Sequence, residues 1–178
     1  FLPVGVVLHQ EFDTLAKMRA VLASAKVPAL MQLVDDYEEQ EEPLVVFSAH
    51  RAPIDLFDKR PGWATITGDT PPHKRSEIED DFQNGRLKGV ASTIKAGGVA
   101  ITLTRACHAV FVDLEWSPAL NSQAEDRICR IGQTRPCLVT VLVANHPLDG
   151  RVSDLLMTKR GLIGASVDAA RDVPVEQA

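Results

Sequence analysis

Residues 123–133 read QAEDRICRIGQ. Gln123, Arg127 and Arg130 stand at i, i+4 and i+7. On a helix that spacing puts a carboxamide and two guanidiniums on one face, with Ala124, Ile128 and Ile131 on another. Two permanently charged forks on one face need anions to meet. Surface ion pairs with Glu125 and Asp126 would satisfy them, and so would a phosphate. The spacing alone leaves both open.

Two upstream segments carry related chemistry. Residues 92–104 read STIKAGGVAITLT, a Gly-Gly turn directly after an apolar stretch. Gly97 and Gly98 let the backbone approach a ligand closely, and the Thr93 hydroxyl with free N–H groups at a strand end suits a phosphate. A structural β-turn would use the same residues. Residues 109–118 read AVFVDLEWSP, an apolar strand ending in Asp113, Glu115 and Trp116. Asp113 and Glu115 could be taken for a metal-binding pair, but no G-x-x-x-x-G-K-S/T loop occurs in the chain to hold a triphosphate.

The elements that must position these residues follow from pattern. Residues 11–23 space their apolar side chains as a helix does, and a second helix starts near Pro28 and runs into the acidic stretch Glu38–Glu42. That stretch reads as a solvated helix end. Pro43 stops the helix. Leu44–Phe47 is a short continuous apolar run, as expected of a strand buried on both faces of a parallel sheet. Ser48, His50 and Arg51 stand at its carboxyl end, where α/β sheets bind ligands, and a helix through Ile54, Leu56 and Phe57 follows. Residues 63–66 form the next strand. Pro71 and Pro72 open a helix whose first turn carries Lys74 and Arg75, cations that oppose the helix dipole unless a phosphate or Glu77 and Glu79 offset them. Further strands are expected at 88–92, 108–114 and 138–144, and helices at 119–131, closed by Gly132, and from residue 147.

The order of these segments resembles motifs IV, V, Va and VI of superfamily 2 helicases, in the Swi/Snf branch of DNA translocases. The string S-T-I-K-A-G-G, the D-x-x-W-x-P segment and Q-A-x-D-R-x-x-R-I-G-Q occur in the family's order. AKVPAL is similar to the lead-in to the family's second motor lobe. The resemblance implies an α/β fold: a RecA-like parallel sheet flanked by helices on both faces, a three-layer sandwich. It divides the chain into a helical lead-in (1–42), the lobe (43–146), a terminal bracing helix (147–163) and a flexible tail (164–178).

The resemblance also assigns roles. Arg130 is the expected arginine finger, Arg127 its partner, and Gln123 a bridge to the γ-phosphate or the facing lobe. Gly97 and Gly98 lie beside the nucleotide. Ser48, His50, Arg51, Lys74, Arg75, Thr93 and Lys95 are the expected DNA-backbone contacts, with Trp116 against the minor groove. ATP and Mg²⁺ would be held mainly by an N-terminal RecA-like lobe carrying the Walker motifs. Double-stranded DNA is the expected track; RNA stays open, because phosphate contacts say little about the sugar. Two residues depart from the family pattern. Ala100 replaces a usual Gly, and Cys129 replaces a frequent His and should point away from the arginine face.

Bulk properties fit this reading. The 178 residues suffice for one domain with a real core. The net charge of −5 excludes a uniformly basic coat, so nucleic acid must be met by a local strip. Aromatic residues make up 5%, too few for a single-strand stacking platform. The three cysteines form no C-x-x-C pair and are expected as reduced, buried thiols in an intracellular protein, cytoplasmic or nuclear, with no membrane partner. The chain begins at Phe1, and a piece of a longer protein, inactive alone, is expected. Two other functions stay open: a non-catalytic nucleic-acid- or protein-binding module on a helicase-like fold, and a nucleotide-binding enzyme using Asp113 and Glu115.

Overall fold

The computed structural model of the chain describes residues 4–97, 101–156 and 158. It opens with two helices, α1 (Val4–Ala25) and α2 (Val27–Glu39). Pro28 falls in the first turn of α2, where its missing N–H costs nothing. Strands and helices then alternate: β1 (Leu44–Ser48), α3 (Arg51–Asp55), β2 (Trp63–Ile66), α4 (Pro72–Gln83), β3 (Gly89–Thr93), α5 (Ile94–Gly97), β4 (His108–Phe111), α6 (Pro118–Glu125) and β5 (Leu138–Val141). Residues 147–156 are helical again.

All neighbouring strands pair in parallel, in the order β2-β3-β1-β4-β5. β1 lies at the centre and is buried along its whole length. Its side chains alternate between two cores. Val45 and Phe47 join Ile78, Phe82, Ile94, Ala124 and Ile128 on one face. Leu44 and Val46 join Ala23, Leu30, Val34, Ile54 and Phe57 on the other. The continuous apolar run therefore marks a strand covered twice, and the fold is the RecA-like three-layer α/β sandwich that was expected. At the sheet's amino end, a Cβ on Gly89 would sit 2.4 Å from the Trp63 ring, so only glycine lets this indole lie across β3.

Two differences bear on function. α6 ends at Glu125, well short of residue 131. Beyond it Arg127 N–H and Ile128 N–H bond three residues back, and Leu103 N–H takes the Arg127 carbonyl at 2.9 Å, so that oxygen is diverted from the helical ladder. Ala124 and Ile128 are buried, whereas Ile131 is fully exposed, so the three do not share a buried helical face. Gly132 has φ +104 but stands in a later turn and caps no helix. The acidic stretch is the second difference. Glu38 accepts from Arg60 Nε at 2.6 Å and Trp63 Nε1 at 2.7 Å, and Arg135 Nη1 lies 2.9 Å from Glu42. Much of what reads as a solvated helix end is a clamp on β2 and on the approach to β5.

Candidate nucleotide and nucleic-acid site

Connections leave β1 and β4 in opposite directions along the sheet, and the crevice at such strand ends is where open α/β sheets take ligands. Here the chain fills part of it. Asp113, just beyond β4, is buried; it accepts from Ser48 Oγ at 2.6 Å, Ala49 N–H at 3.1 Å and His50 Nδ1 at 2.6 Å. Arg19 Nη2, from α1, lies 3.9 Å from the same carboxylate. Burial by itself would raise the Asp113 pKa. The hydrogen bonds from His50 and Ser48 and the charges of His50 and Arg19 outweigh it, and hold the carboxyl below its usual range.

This network corrects one expectation. Ser48 has no exposed surface and its hydroxyl is spent on Asp113, so it offers nothing to a DNA backbone. His50 is partly exposed and turns Nδ1 inward. The network also bears on metal binding. Three donors crowd the Asp113 oxygens, and Glu115 lies 3.3 Å from Lys95 Nζ. Among the described residues no group of three or more His, Cys, Asp or Glu could hold a metal ion.

The loop after Asp113 is held from several sides. Arg19 donates to Leu114 O and stacks over the Trp116 ring, 4.4 Å from its centroid. Asn121, on α6, closes a two-way pair with the Glu115 backbone, N–H to Oδ1 at 2.9 Å and Nδ2 to O at 3.0 Å. Trp116 itself remains 39% exposed at the surface. Lys26 fixes the start of α2 to Val112 O at 2.9 Å and to Asp149 at 2.7 Å. None of Arg19, Lys26 and Asn121 was marked by its sequence context: Arg19 and Lys26, on α1 and at the start of α2, find their partners far along the chain, and Asn121 finds its own on the backbone of the preceding loop.

The remaining expected contacts divide. Arg51 is exposed and paired with Asp55 and Asp69, and Lys74 is exposed and paired with Glu77. Thr93 is partly exposed at the end of β3, and Lys95 is exposed one turn on. Arg75 is a second correction. Its guanidinium donates to the carbonyls of Thr70 at 2.8 Å, Thr67 at 3.1 Å and Ala96 at 3.4 Å. It ties the start of α4 to α5, which also removes its conflict with the helix dipole without any phosphate. Gly97 ends α5, so the expected Gly-Gly turn begins as a short helix; Gly98 lies outside the described residues.

Gln123 is exposed near the end of α6, whereas Arg127 and Arg130 lie beyond it in turns. The helical face of the sequence reading therefore does not form, although both guanidiniums remain in one short segment against residues 102–106. Arg127 is half-buried with its Nε shielded from solvent. Arg130 is exposed and donates from Nη1 to Thr102 Oγ1 at 3.2 Å. Among the described residues it makes no ion pair, so the alternative of a surface pair with Glu125 or Asp126 is not realised for it. Gln133 holds the segment in place: its Nε2 donates to Thr104 O at 3.0 Å, Ala106 O at 2.8 Å and Ile128 O at 3.2 Å.

Residues 25–132 match the helicase conserved C-terminal domain. The chain belongs to that family. Its relatives are of the Swi/Snf type. It is 29% identical over 157 residues to the SWI/SNF-related matrix-associated actin-dependent regulator of chromatin subfamily A-like protein 1 of Drosophila melanogaster, covering 85% of this chain and 21% of that protein. It is 29% identical over 157 residues to the mouse DNA repair and recombination protein RAD54B (83% and 18%), and 30% identical over 159 residues to the ATP-dependent helicase rhp16 of Schizosaccharomyces pombe (85% and 18%). The chain thus spans about a fifth of the length of these relatives. The C-terminal part of the Fun30 ATPase domain shares the fold, with a TM-score of 0.67 and 24% identity, covering 74% of this chain and 45% of that one. None of the described helices is long and apolar enough to cross a membrane.

Proposed function

We propose that this helicase C-terminal domain is the second motor lobe of an ATP-driven translocase on double-stranded DNA, with Arg130 as its arginine finger. The observation that carries the reading is the exposed Arg130 guanidinium, tethered to a threonine hydroxyl and without a carboxylate partner among the described residues. A permanently charged fork left open on a well-packed lobe is suited to an anion brought by a neighbour. Arg127 supports it from the same segment, and Gln123 lies at the adjoining helix end. Gly97 marks the nucleotide-facing turn.

The nucleotide and its Mg²⁺ would be gripped by a facing RecA-like lobe with the Walker residues, since the Asp113 oxygens are already taken up by protein donors. This chain's own contribution is charge stabilisation: neutralising charge that develops on the transferring phosphoryl group contributes about 10³–10⁵ in rate. DNA contacts would come from Arg51, Lys74, Thr93, Lys95 and Trp116, with the indole presented by the Arg19 and Asn121 braces; His50 lies beside them. Two lobes that hold one strand and close around each nucleotide would step along it.

The test is Arg130→Ala in a two-lobe protein carrying this chain. DNA-stimulated hydrolysis should fall by about 10³-fold or more while duplex affinity is kept. Unchanged hydrolysis removes Arg130 from the role. The isolated chain should hydrolyse ATP only at background, and Arg130-dependent turnover by it would contradict the two-lobe division of labour.

A further inference from the structure

We propose that Glu115 competes with the duplex backbone for Lys95, so that DNA engages this lysine only by replacing one anion with another. The inference rests on the DNA contact proposed for Lys95. In the sheet, β1 lies between β3 and β4. Lys95 stands on α5, directly after β3, and Glu115 stands on the loop after β4. Lys95 Nζ lies 3.3 Å from Glu115 Oε1, so the ion pair spans the carboxyl end of β1. Among the described residues neither side chain has another ion-pair partner.

The two partners are unequal. The Glu115 side chain is 9% exposed, and Asn121 holds its backbone N–H and carbonyl at 2.9 and 3.0 Å. Arg19, through Leu114 O, holds the same loop from the other side. The loop therefore keeps its shape without Lys95. The Lys95 side chain is 72% exposed, and its ammonium ends a flexible four-carbon stem. When the pair opens, the lysine moves and the carboxylate stays. An ammonium is a point charge with rotatable donors, so it can turn from a carboxylate to a phosphate oxygen with no fixed fork to realign. Thr93, partly exposed at the end of β3, and Trp116, the residue after Glu115, flank the place where that phosphate would lie. Binding then leaves Glu115 without its counter-charge beside the duplex, and this cost lowers the affinity. When the strand leaves, the same carboxylate receives the lysine back. A translocase must release its track at every step, and an internal acceptor beside the contact shortens each hold.

The test measures binding of a fluorescent duplex oligonucleotide to a two-lobe protein carrying this chain, without nucleotide, and follows dissociation by stopped flow. It compares wild type, Glu115→Gln, Lys95→Met and the double variant. Glutamine matches glutamate in shape and Lys95 is exposed, so neither change removes packing. Lys95→Met should weaken binding and reduce the slope of log affinity against log salt by about 1. Glu115→Gln should tighten binding by about two- to fivefold, the worth of one exposed ion pair, and slow dissociation by a similar factor. In the Lys95→Met background the same change should have no effect. Unchanged or weaker binding by Glu115→Gln, where Lys95→Met weakens it, would overturn the competition and leave the DNA contact standing. Equal tightening in both backgrounds would also overturn it, because Glu115 would then repel the duplex without acting through Lys95. Affinity insensitive to Lys95→Met would remove the DNA contact itself, and the competition with it.

Discussion

Replacing Asp113 by alanine should be among the most damaging single changes in this domain. The substitution removes the common acceptor of Ser48 Oγ, Ala49 N–H and His50 Nδ1 and leaves Arg19 without its buried counter-charge. Ser48 has no exposed surface and Arg19 is 7% exposed, so water cannot readily replace the carboxylate. Removing one partner of a buried hydrogen-bonded ion pair costs about 3–5 kcal/mol, against a total stability on the order of 5–15 kcal/mol. Urea denaturation followed by circular dichroism reads this directly. With a slope of about 1–3 kcal/mol per molar, the midpoint should fall by roughly 2 M. Asp113→Asn keeps an oxygen for Ser48 and Ala49 but loses the charge, and should cost about 1.5–3 kcal/mol.

The pH dependence gives a second readout of the same group. The Asp113 pKa is lowered in the folded state, so its contribution is fully present above the unfolded carboxylate value of about 3.9 and is lost as pH falls through the lower, folded value. The gap between wild type and Asp113→Asn should therefore narrow below about pH 4. A midpoint shift under about 0.5 M for Asp113→Ala, equivalent to well below the cost of an orphaned buried donor, would refute the reasoning. So would a gap that widens in acid.

Three further outcomes follow from the same contacts. Glu38→Gln should lower stability by about 1–2 kcal/mol, because a charged acceptor for Arg60, Trp63 and Lys88 becomes neutral; an unchanged thermal melt would contradict it. Arg75→Ala should destabilise the domain by about 1–3 kcal/mol, since three carbonyls lose their donor, while duplex affinity measured well below the melting temperature stays the same. A selective loss of affinity at unchanged stability would return Arg75 to the DNA-facing set. Gln133→Ala should loosen the Arg130 loop, raising native-state trypsin cleavage after Arg130 by about tenfold for each 1.4 kcal/mol lost in local opening; equal cleavage rates would show that the amide does not hold the loop.

Much of the architecture was legible in the amino-acid order. Leu44–Phe47 is apolar on both sides of the pleat, and only a strand covered by two layers can use such a run; the alternation of short strands with helical patterns then gave the parallel sheet. Motif order was legible too, because chemistry that depends on a few residue types at set spacing survives as a string. Period-based reasoning failed where a contact distant in sequence overrode the local pattern. A helix through residue 131 was the natural reading of Ala124, Ile128 and Ile131, but Leu103 captures the Arg127 carbonyl and the helix unwinds after Glu125.

The same distinction separates the site residues. The sequence by itself determined which side chains are available: two arginines in one short segment, a tryptophan after a strand, hydroxyls and cations at strand ends. Tertiary structure decided which of them face a ligand. Ser48 and Arg75 are polar and sit at expected positions, yet Asp113 and three carbonyls claim them, whereas Arg130 is left exposed. A polar group's role depends on where its hydrogen bonds go. In a parallel sheet the partners are brought together by crossovers from distant segments, which no local pattern records.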